Sequence, residues 1–237
     1  MHRLKMFGIA ALAVFAVGVV TASSASALLP TVLFLSSPFV ILLVGSKSGA
    51  GVAVFHTKTL VIEAGKITTE LTALGNDTKL GSVLLLFFES KDVGTKNACT
   101  TAGLVAGEVH ISGEWHLVYV GLGASLAVAL LVLVPAASKQ SFKCGATTVS
   151  IEGSALTKIT KLPSGEADFE EIGTIAKCEG TESLTPELTK YETESGGEAT
   201  ALLLGVIAGV KEKACEQVTG ELILKSSEKG QMIKIDL

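Results

Sequence analysis

The sequence predicts an all-β protein, an antiparallel sandwich or barrel of about ten to twelve strands that follows a cleaved N-terminal signal helix. Three observations lead to this prediction. Short runs of valine, isoleucine, leucine and threonine are separated by glycine, serine, asparagine and lysine, and few stretches keep a 3.6-residue period. The 237 residues are 48% apolar and 18% charged, as expected of a chain that folds around a core. Candidate strands recur about every 10 to 15 residues, a spacing typical of sandwiches and barrels.

The first 27 residues have the three parts of a secretory signal peptide. His2, Arg3 and Lys5 precede an uncharged apolar run, and the segment ends in Ala25-Ser26-Ala27. A small-residue end of this kind suits signal peptidase, so we expect cleavage after Ala27. An uncleaved anchor is the alternative, but the apolar run is short for the ~20 residues that a bilayer requires.

Residues 28–237 are predicted to form one β-rich domain, with a subdomain boundary near 135–140 as an alternative. Residues 28–45 are apolar, but Pro30 and Pro38 would interrupt a helix, so we expect an extended segment laid over the core. The candidate strands that follow are 51–59, 60–64, 67–74, 82–89, 108–120, 141–153, 168–179, 187–194, 198–210, 221–226 and 231–237.

Turn residues predict two hairpins and one flexible turn. Ser195-Gly196-Gly197 separates two candidate strands and is a hairpin signal, and residues 227–230 separate the last two in the same way. Residues 45–49, Gly-Ser-Lys-Ser-Gly, lack the spacing of a phosphate-binding loop or a nucleophile elbow and are predicted to be a flexible turn.

The clearest strand, 108–120, holds the candidate polar site. His110, Glu114 and His116 alternate with apolar residues, Trp115 among them, so one face is expected to pack and the other to face water. His110 and His116 lie six positions apart, about 20 Å, which is too far to share a metal ion. Glu114 and His116, about 6.6 Å apart, are close enough for two ligands or an acid–base pair. We prefer a solvated strand face, with Trp115 in the core.

The 21 residues from 117 to 137 carry no charge and allow two interpretations. Their length permits a transmembrane helix that would anchor the protein in an envelope. However, they continue the alternating strand without a break, contain Gly121 and Gly123 where a turn would lie, and reach Pro135 near their end. Buried strands, covered on both faces, are therefore the preferred prediction.

Four cysteines follow the signal segment: Cys99, Cys144, Cys178 and Cys215. An even number in an exported chain predicts two disulfides. The spacings contain no C-x-x-C pair, so a zinc or redox site is disfavoured. Three connectivities remain open, and the sequential one is preferred: Cys99 with Cys144, and Cys178 with Cys215.

The charged residues argue against several classes of partner. No arginine follows Arg3, and arginine is the usual bidentate partner of phosphate and guanine, so we predict neither nucleic acid nor nucleotide binding. The acidic residues Glu166, Asp168, Glu170 and Glu171 lack the spacing of a calcium loop and are predicted to be solvated. We predict no cofactor and no metal site.

Three stretches carry a resemblance to known sequences: residues 107–117 (GEVHISGEWHL), 142–156 (FKCGATTVSIEGSAL) and 187–202 (ELTKYETESGGEATAL). They are similar to segments of uncharacterised exported β-rich proteins of soil actinobacteria, over about half of the chain that follows the signal segment. The resemblance implies a secreted β protein and no catalytic residue.

These features together predict a secreted or cell-surface β protein with a non-catalytic binding or structural role. The alternatives are an envelope protein anchored through residues 117–137 and a secreted hydrolase whose site has no familiar motif. The sequence leaves the partner and the oligomeric state open.

Overall fold

The computed structural model describes residues 31–34, 41–73, 77–78, 80–120, 127–138, 140–159, 164–167, 170–175, 178–179, 185–186, 188–193, 195–218, 222–226 and 232–236. They form 21 strands and a 3-10 helix over Ala136–Ser138. The strands are β1 (Thr31–Phe34), β2 (Ile41–Thr57), β3 (Val61–Ala73), β4 (Asp77–Thr78), β5 (Leu80–Phe88), β6 (Lys91–Asp92), β7 (Cys99–Thr101), β8 (Val109–Val120), β9 (Ala127–Val134), β10 (Ser141–Cys144), β11 (Thr147–Ile159), β12 (Ser164–Ala167), β13 (Glu170–Ile175), β14 (Cys178–Glu179), β15 (Thr185–Pro186), β16 (Lys190–Glu192), β17 (Glu198–Thr200), β18 (Leu203–Ile207), β19 (Val210–Val218), β20 (Leu222–Ser226) and β21 (Met232–Asp236).

The main sheet closes on itself as an antiparallel barrel. Its strands follow the order β2-β19-β18-β11-β9-β8-β5-β3, and β3 pairs with β2 to complete a ring of eight. Closure leaves none of these eight strands with a free edge along the paired segments, which removes the usual site of edge-to-edge association.

A second ring of eight closes farther along the same strands. At residues 53–57, β2 pairs with β19, whereas at residues 43–46 it pairs with β20. On the opposite side, β11 pairs with β18 up to Gly153 and with β13 from Thr157. Since β13 pairs with β20, these two strands replace β18 and β19 in the second ring. We call the boundary between the strand pair β18–β19 and the strand pair β13–β20 the seam; at this boundary β2 and β11 change partners.

The core fills the interior of the barrel. Along β8, the side chains of Val109, Ile111, Trp115 and Leu117 are buried in the main core cluster. The residues that alternate with them point outward, because successive side chains of a strand lie on opposite faces. The indole nitrogen of Trp115 donates a hydrogen bond to the carbonyl oxygen of Thr72, 3.1 Å away, so the polar atom of this buried ring is satisfied.

Strand β9 is apolar throughout because both of its faces are covered. Its inward residues join the main core, while Ala129 and Leu131 belong to a second cluster on the outside of the barrel. The hairpin of β16 and β17 lies over that outer cluster, and Tyr191 packs against it. This double burial explains the uncharged sequence of the strand.

One end of the barrel, called the Ser90 end, is extended by short strands. There β10 continues the line of β9 along β11, and β7 pairs with β10. Cys99 and Cys144 face each other across this pair and form a disulfide. No free cysteine occurs among the residues that the structure describes, and Cys215 is also disulfide-bonded. These bonds indicate an oxidising folding environment.

Two small sheets lie beside the barrel. One has the order β12-β21-β1-β4, and the other pairs β14 with β15. The backbone of β14, which holds Cys178, lies close to β19, which holds Cys215.

The all-β antiparallel prediction is confirmed, and eleven of the described strands have five or more residues. The predicted pair Cys99–Cys144 is confirmed, whereas the pair Cys178–Cys215 stays a prediction because the side chain of Cys178 lies outside the described residues. The signal segment, 1–27, also lies outside them. Residues 117–120 and 127–134 are paired strands, as preferred. No helix among the residues described is long and apolar enough to cross a bilayer.

Several local predictions are wrong. Residues 45–49 are part of strand β2 rather than a flexible turn, because pairing with β3 and β20 holds them extended. Residues 141–153 contain two paired strands, β10 and the start of β11, instead of one, and residues 198–210 contain β17, β18 and the first residue of β19. The strands predicted at 60–64 and 67–74 are instead parts of the single strand β3. The last two strands do not form a hairpin: β20 fills the place beside β2 that β19 leaves open, while β21 pairs with β1.

Candidate functional site

A cavity that is partly open to solvent lies inside the barrel toward the Ser90 end. Side chains from strands all around the ring line it, so it occupies the axis of the barrel rather than a surface groove. Phe142 of β10 contributes to its wall at the extended end. Beyond Ile111, the inward row of β8 continues with Trp115 and Leu117, which are buried in the core toward the other end.

The wall of the cavity is almost wholly apolar. Its members are Ala53, Val54, Phe55, Ile62, Ala64, Leu85, Phe87, Ser90, Val109, Ile111, Val132, Val134, Phe142, Ile151, Ala155, Leu203 and Glu216. Three alanines, at positions 53, 64 and 155, leave space where larger side chains would meet. Ser90 and Glu216 provide the polar side chains.

Glu216 enters the cavity from strand β19. The register places it beside Phe55, and the alternation of β19 puts it on the same face as the buried Ala214. The residue as a whole is half-buried, but its Oε1 atom has no solvent exposure and no hydrogen-bond partner. Burial raises the pKa of this carboxyl from 4.5 to about 7. Near neutral pH the cavity therefore contains an acid that is close to half ionised.

Two further interior hydroxyl groups lack partners. Ser90 Oγ, on the cavity wall, is buried without a hydrogen bond, although the backbone of Ser90 is bonded to Gly107 and Cys99. Thr69 Oγ1, on the inward face of β3, is also buried and unpaired. Buried polar groups in proteins are nearly always hydrogen-bonded, so each of these three interior atoms lacks a partner that such a group ordinarily has.

Glu212, two inward positions before Glu216 on the same strand, has the opposite environment. Its carboxylate oxygens accept hydrogen bonds from the hydroxyl of Thr59, at 2.9 and 3.0 Å, and from the Thr59 backbone amide at 3.0 Å. Partial burial raises the pKa of Glu212, but the hydrogen bonds of Thr59 and Thr57 outweigh it, and the net shift is downward. Glu212 thus ties the turn between β2 and β3 to β19, whereas Glu216 is left without a partner for Oε1.

The predicted polar face of β8 lies outside the barrel, away from the cavity. His110, Glu114 and His116 point outward, as the alternation predicts. Glu114 Oε2 and His116 Nε2 are 3.8 Å apart, beyond hydrogen-bonding distance, and the Glu114 side chain is 61% exposed. The structure brings these two residues side by side and leaves His110 apart from them. No group of three or more potential metal-ligating side chains occurs within the part of the chain that the structure describes.

Sequence reasoning missed Glu216 and Ser90. Strand β19 has charged residues on both faces: Lys211 and Lys213 point outward, and Glu212 and Glu216 point inward. The pattern of polar residues therefore does not show which face of the strand is buried. The small, buried Ala214 between the two glutamates is the signal that would have marked the inward face. Ser90 lies just after β5, where a serine is ordinary.

Comparisons with protein-family models, with curated proteins and with solved structures find no match to this chain. The geometry of the site is therefore the basis for a functional assignment.

Proposed function

We propose that the protein is a secreted binding module whose barrel takes up one small, mainly apolar molecule, with Glu216 and Ser90 as its polar contacts. The observation that carries the proposal is a cavity on the barrel axis, with apolar walls and two buried polar atoms that lack partners. Ligand pockets likewise combine apolar walls with a few polar groups that orient the ligand.

The size of the barrel supports this proposal. An eight-stranded barrel is just wide enough to be filled by side chains or to hold one small ligand. Here the alanines at positions 53, 64 and 155 leave the axis open on the side where Glu216 enters. Protein interiors are otherwise close-packed, and a void forfeits the contacts of every residue that lines it. A ligand would restore these contacts and hydrogen-bond the unpaired atoms.

Secretion is the second part of the proposal. It is supported by the predicted signal segment over residues 1–27 and by the disulfide between Cys99 and Cys144. The ligand would then be met outside the cytoplasm, and the role of the protein there would be to carry, store or sequester it.

Titration with N-phenyl-1-naphthylamine, a neutral apolar fluorophore, tests the binding function. We expect a saturable rise in fluorescence with a stoichiometry of one per chain, because the proposed binding site is a single cavity on the barrel axis. Replacing Ala64 by Leu fills part of the cavity and is expected to weaken binding at least tenfold. Ala102→Leu, at an exposed position, is the matched control and should bind as the wild type does.

Two results would count against the proposal. One is the absence of saturable binding by the folded wild-type protein. The other is equal binding by the Ala64→Leu and Ala102→Leu variants, which would place the probe on the surface rather than in the cavity.

A further inference from the structure

We propose that the ligand is an amphiphilic amine, an apolar body that carries one protonated nitrogen, and that this nitrogen pairs with the carboxylate of Glu216. The inference rests on the binding function proposed above and adds the chemical class of the ligand. It is carried by the polarity of the cavity: one acidic side chain, one hydroxyl and no basic side chain among the described residues that line it.

The described residues around Glu216 offer it no counter-ion. Phe55 lies beside it in register on β2, and Ala214 is its inward neighbour on β19. The next inward acid, Glu212, is occupied by Thr59. His56, on β2, alternates with the inward Phe55 and so points away from the cavity. The cation that would satisfy the carboxylate must therefore come with the ligand.

Folding has already removed much of the carboxyl group from water. Forming a buried ion pair costs free energy because both charged groups must leave water. Here the carboxyl group of Glu216 is already desolvated by folding, so binding adds mainly the cost of desolvating the ligand. An ammonium group would then gain a charge-assisted hydrogen bond, which is about twice as strong as a neutral one. An alcohol of the same shape would gain only a neutral hydrogen bond, and a carboxylate ligand would meet a like charge.

The hydroxyl of Ser90 fits the same ligand. An ammonium nitrogen has three donors, and a serine oxygen can accept one of them. The remaining wall is aliphatic and aromatic, so the rest of the molecule must be apolar. Free amino acids and polyamines do not meet this description, because they would bury further charges without partners.

The experiment compares 1-aminoadamantane with 1-adamantanol and 1-adamantanecarboxylate, three ligands of one shape, as competitors of N-phenyl-1-naphthylamine at pH 8. At this pH an alkylamine is protonated and Glu216, with its pKa of about 7, is mostly ionised. We expect the amine to bind at least tenfold more tightly than the alcohol, and the carboxylate to bind most weakly.

Glu216→Gln keeps the shape of the side chain and removes its charge. We expect it to weaken amine binding at least tenfold and to leave alcohol binding within threefold of the wild type, which also shows that the variant is folded. Glu114→Gln removes a carboxylate from the outer face and should leave all three affinities unchanged.

The outcomes separate the two proposals. If the fluorophore binds in the cavity but amine and alcohol compete equally, or if Glu216→Gln affects both alike, the amine assignment is wrong and the binding function stands. If neither the fluorophore nor any adamantane binds, the binding function itself fails.

Discussion

At neutral pH the carboxyl of Glu216 is close to half protonated in the folded protein, because burial raises its pKa to about 7, while in the unfolded chain it titrates near 4.5. The folded state therefore holds this proton more tightly than the unfolded state. The stabilising contribution of the protonated form is complete below pH 4.5 and is lost as the pH rises to about 7.

Removing this group should change the pH dependence of stability. We expect the free energy of unfolding of the wild type, relative to Glu216→Gln, to fall by about 3 kcal/mol between pH 4.5 and pH 8. Urea unfolding at half-unit pH steps measures it. Glu212→Gln is the control: its lowered pKa affects stability only below about pH 4.5, so its difference from the wild type should be constant above pH 5. A wild-type profile parallel to that of Glu216→Gln would refute the raised pKa.

Trp115 and Glu216 show how far sequence reasoning can place single residues. Trp115 could be assigned to the core because the strict alternation of β8 leaves one choice of face. Glu216 could not, since every outward neighbour on β19 is also polar or, in the case of Cys215, disulfide-bonded. A buried acid among polar residues has no local signature, and only the three-dimensional register places it in the cavity.

Among the elements, β11 depends on one glycine. Gly153 has a φ of 103° and lies at the last pair of β11 with β18, just before the seam. A Cβ atom at this position would collide with the carbonyl oxygen of Leu202, which accepts a hydrogen bond from the Ser154 amide at 2.9 Å. The backbone conformation and the close contact both favour glycine.

Gly153→Ala is therefore expected to destabilise the protein by about 2 kcal/mol or more, through backbone strain and displacement of β18. Chemical denaturation followed by far-UV circular dichroism measures the loss. Gly197→Ala serves for comparison, because its Cβ would meet only Thr193 Oγ1 at an ordinary 3.5 Å; it should change stability by less than about 0.5 kcal/mol. Equal effects of the two substitutions would contradict this account of β11.

The disulfide between β7 and β10 should contribute strongly to stability. It closes a loop with a sequence separation of 45, and a crosslink of this size restricts the unfolded chain by about 4 kcal/mol. We expect the double variant Cys99→Ser, Cys144→Ser to lose stability of this order in non-reducing urea titrations. Lys143→Ser, at the exposed neighbouring position, should remain near the wild type. A double variant as stable as the wild type would show that β7 and β10 are held by pairing alone.

The positions of most strands could be predicted from the sequence, but some of the pairings between strands could not. The strands around Trp115 and the turn at residues 195–197 follow from local patterns. The predicted C-terminal hairpin failed because two strands separated by a short polar segment can each find a better partner elsewhere. For β20 that partner is β2, and no local sequence pattern near β20 predicts this pairing.

For the whole molecule, the closure of the barrel depends on β19. A chain that ends at residue 209 lacks β19 and β20, so β2 would keep an open edge in both rings. We expect this chain to aggregate, because exposed edges of apolar sheets pair with one another. A chain that ends at residue 231 loses β21 but keeps both rings, and we expect it to remain monomeric in size-exclusion chromatography. A monomeric, folded 1–209 chain would refute the role of β19.

All-β architecture was predictable from composition and spacing, but the cavity was not. A cavity exists only once the strands surround it, and its walls come from residues between Ala53 and Glu216, each of which is an ordinary apolar or small residue in its own strand. The fold is a barrel rather than a sandwich because β2 pairs with both β3 and β19 and so closes the ring. The pairing with β19 joins segments far apart in sequence, and no local pattern predicts it.

The pairing of Phe55 on β2 with Glu216 on β19 also determines when, relative to synthesis, the barrel can close. Strand β2 is synthesised long before β19, so the ring cannot close until the chain has been made as far as residue 218. Contacts so distant in sequence form slowly, because a long loop must be ordered before they stabilise anything. Until then Glu216 is in water and the cavity does not exist. Under the proposed binding function, the ligand would therefore be acquired only after β19 has been made, from the compartment in which folding is completed.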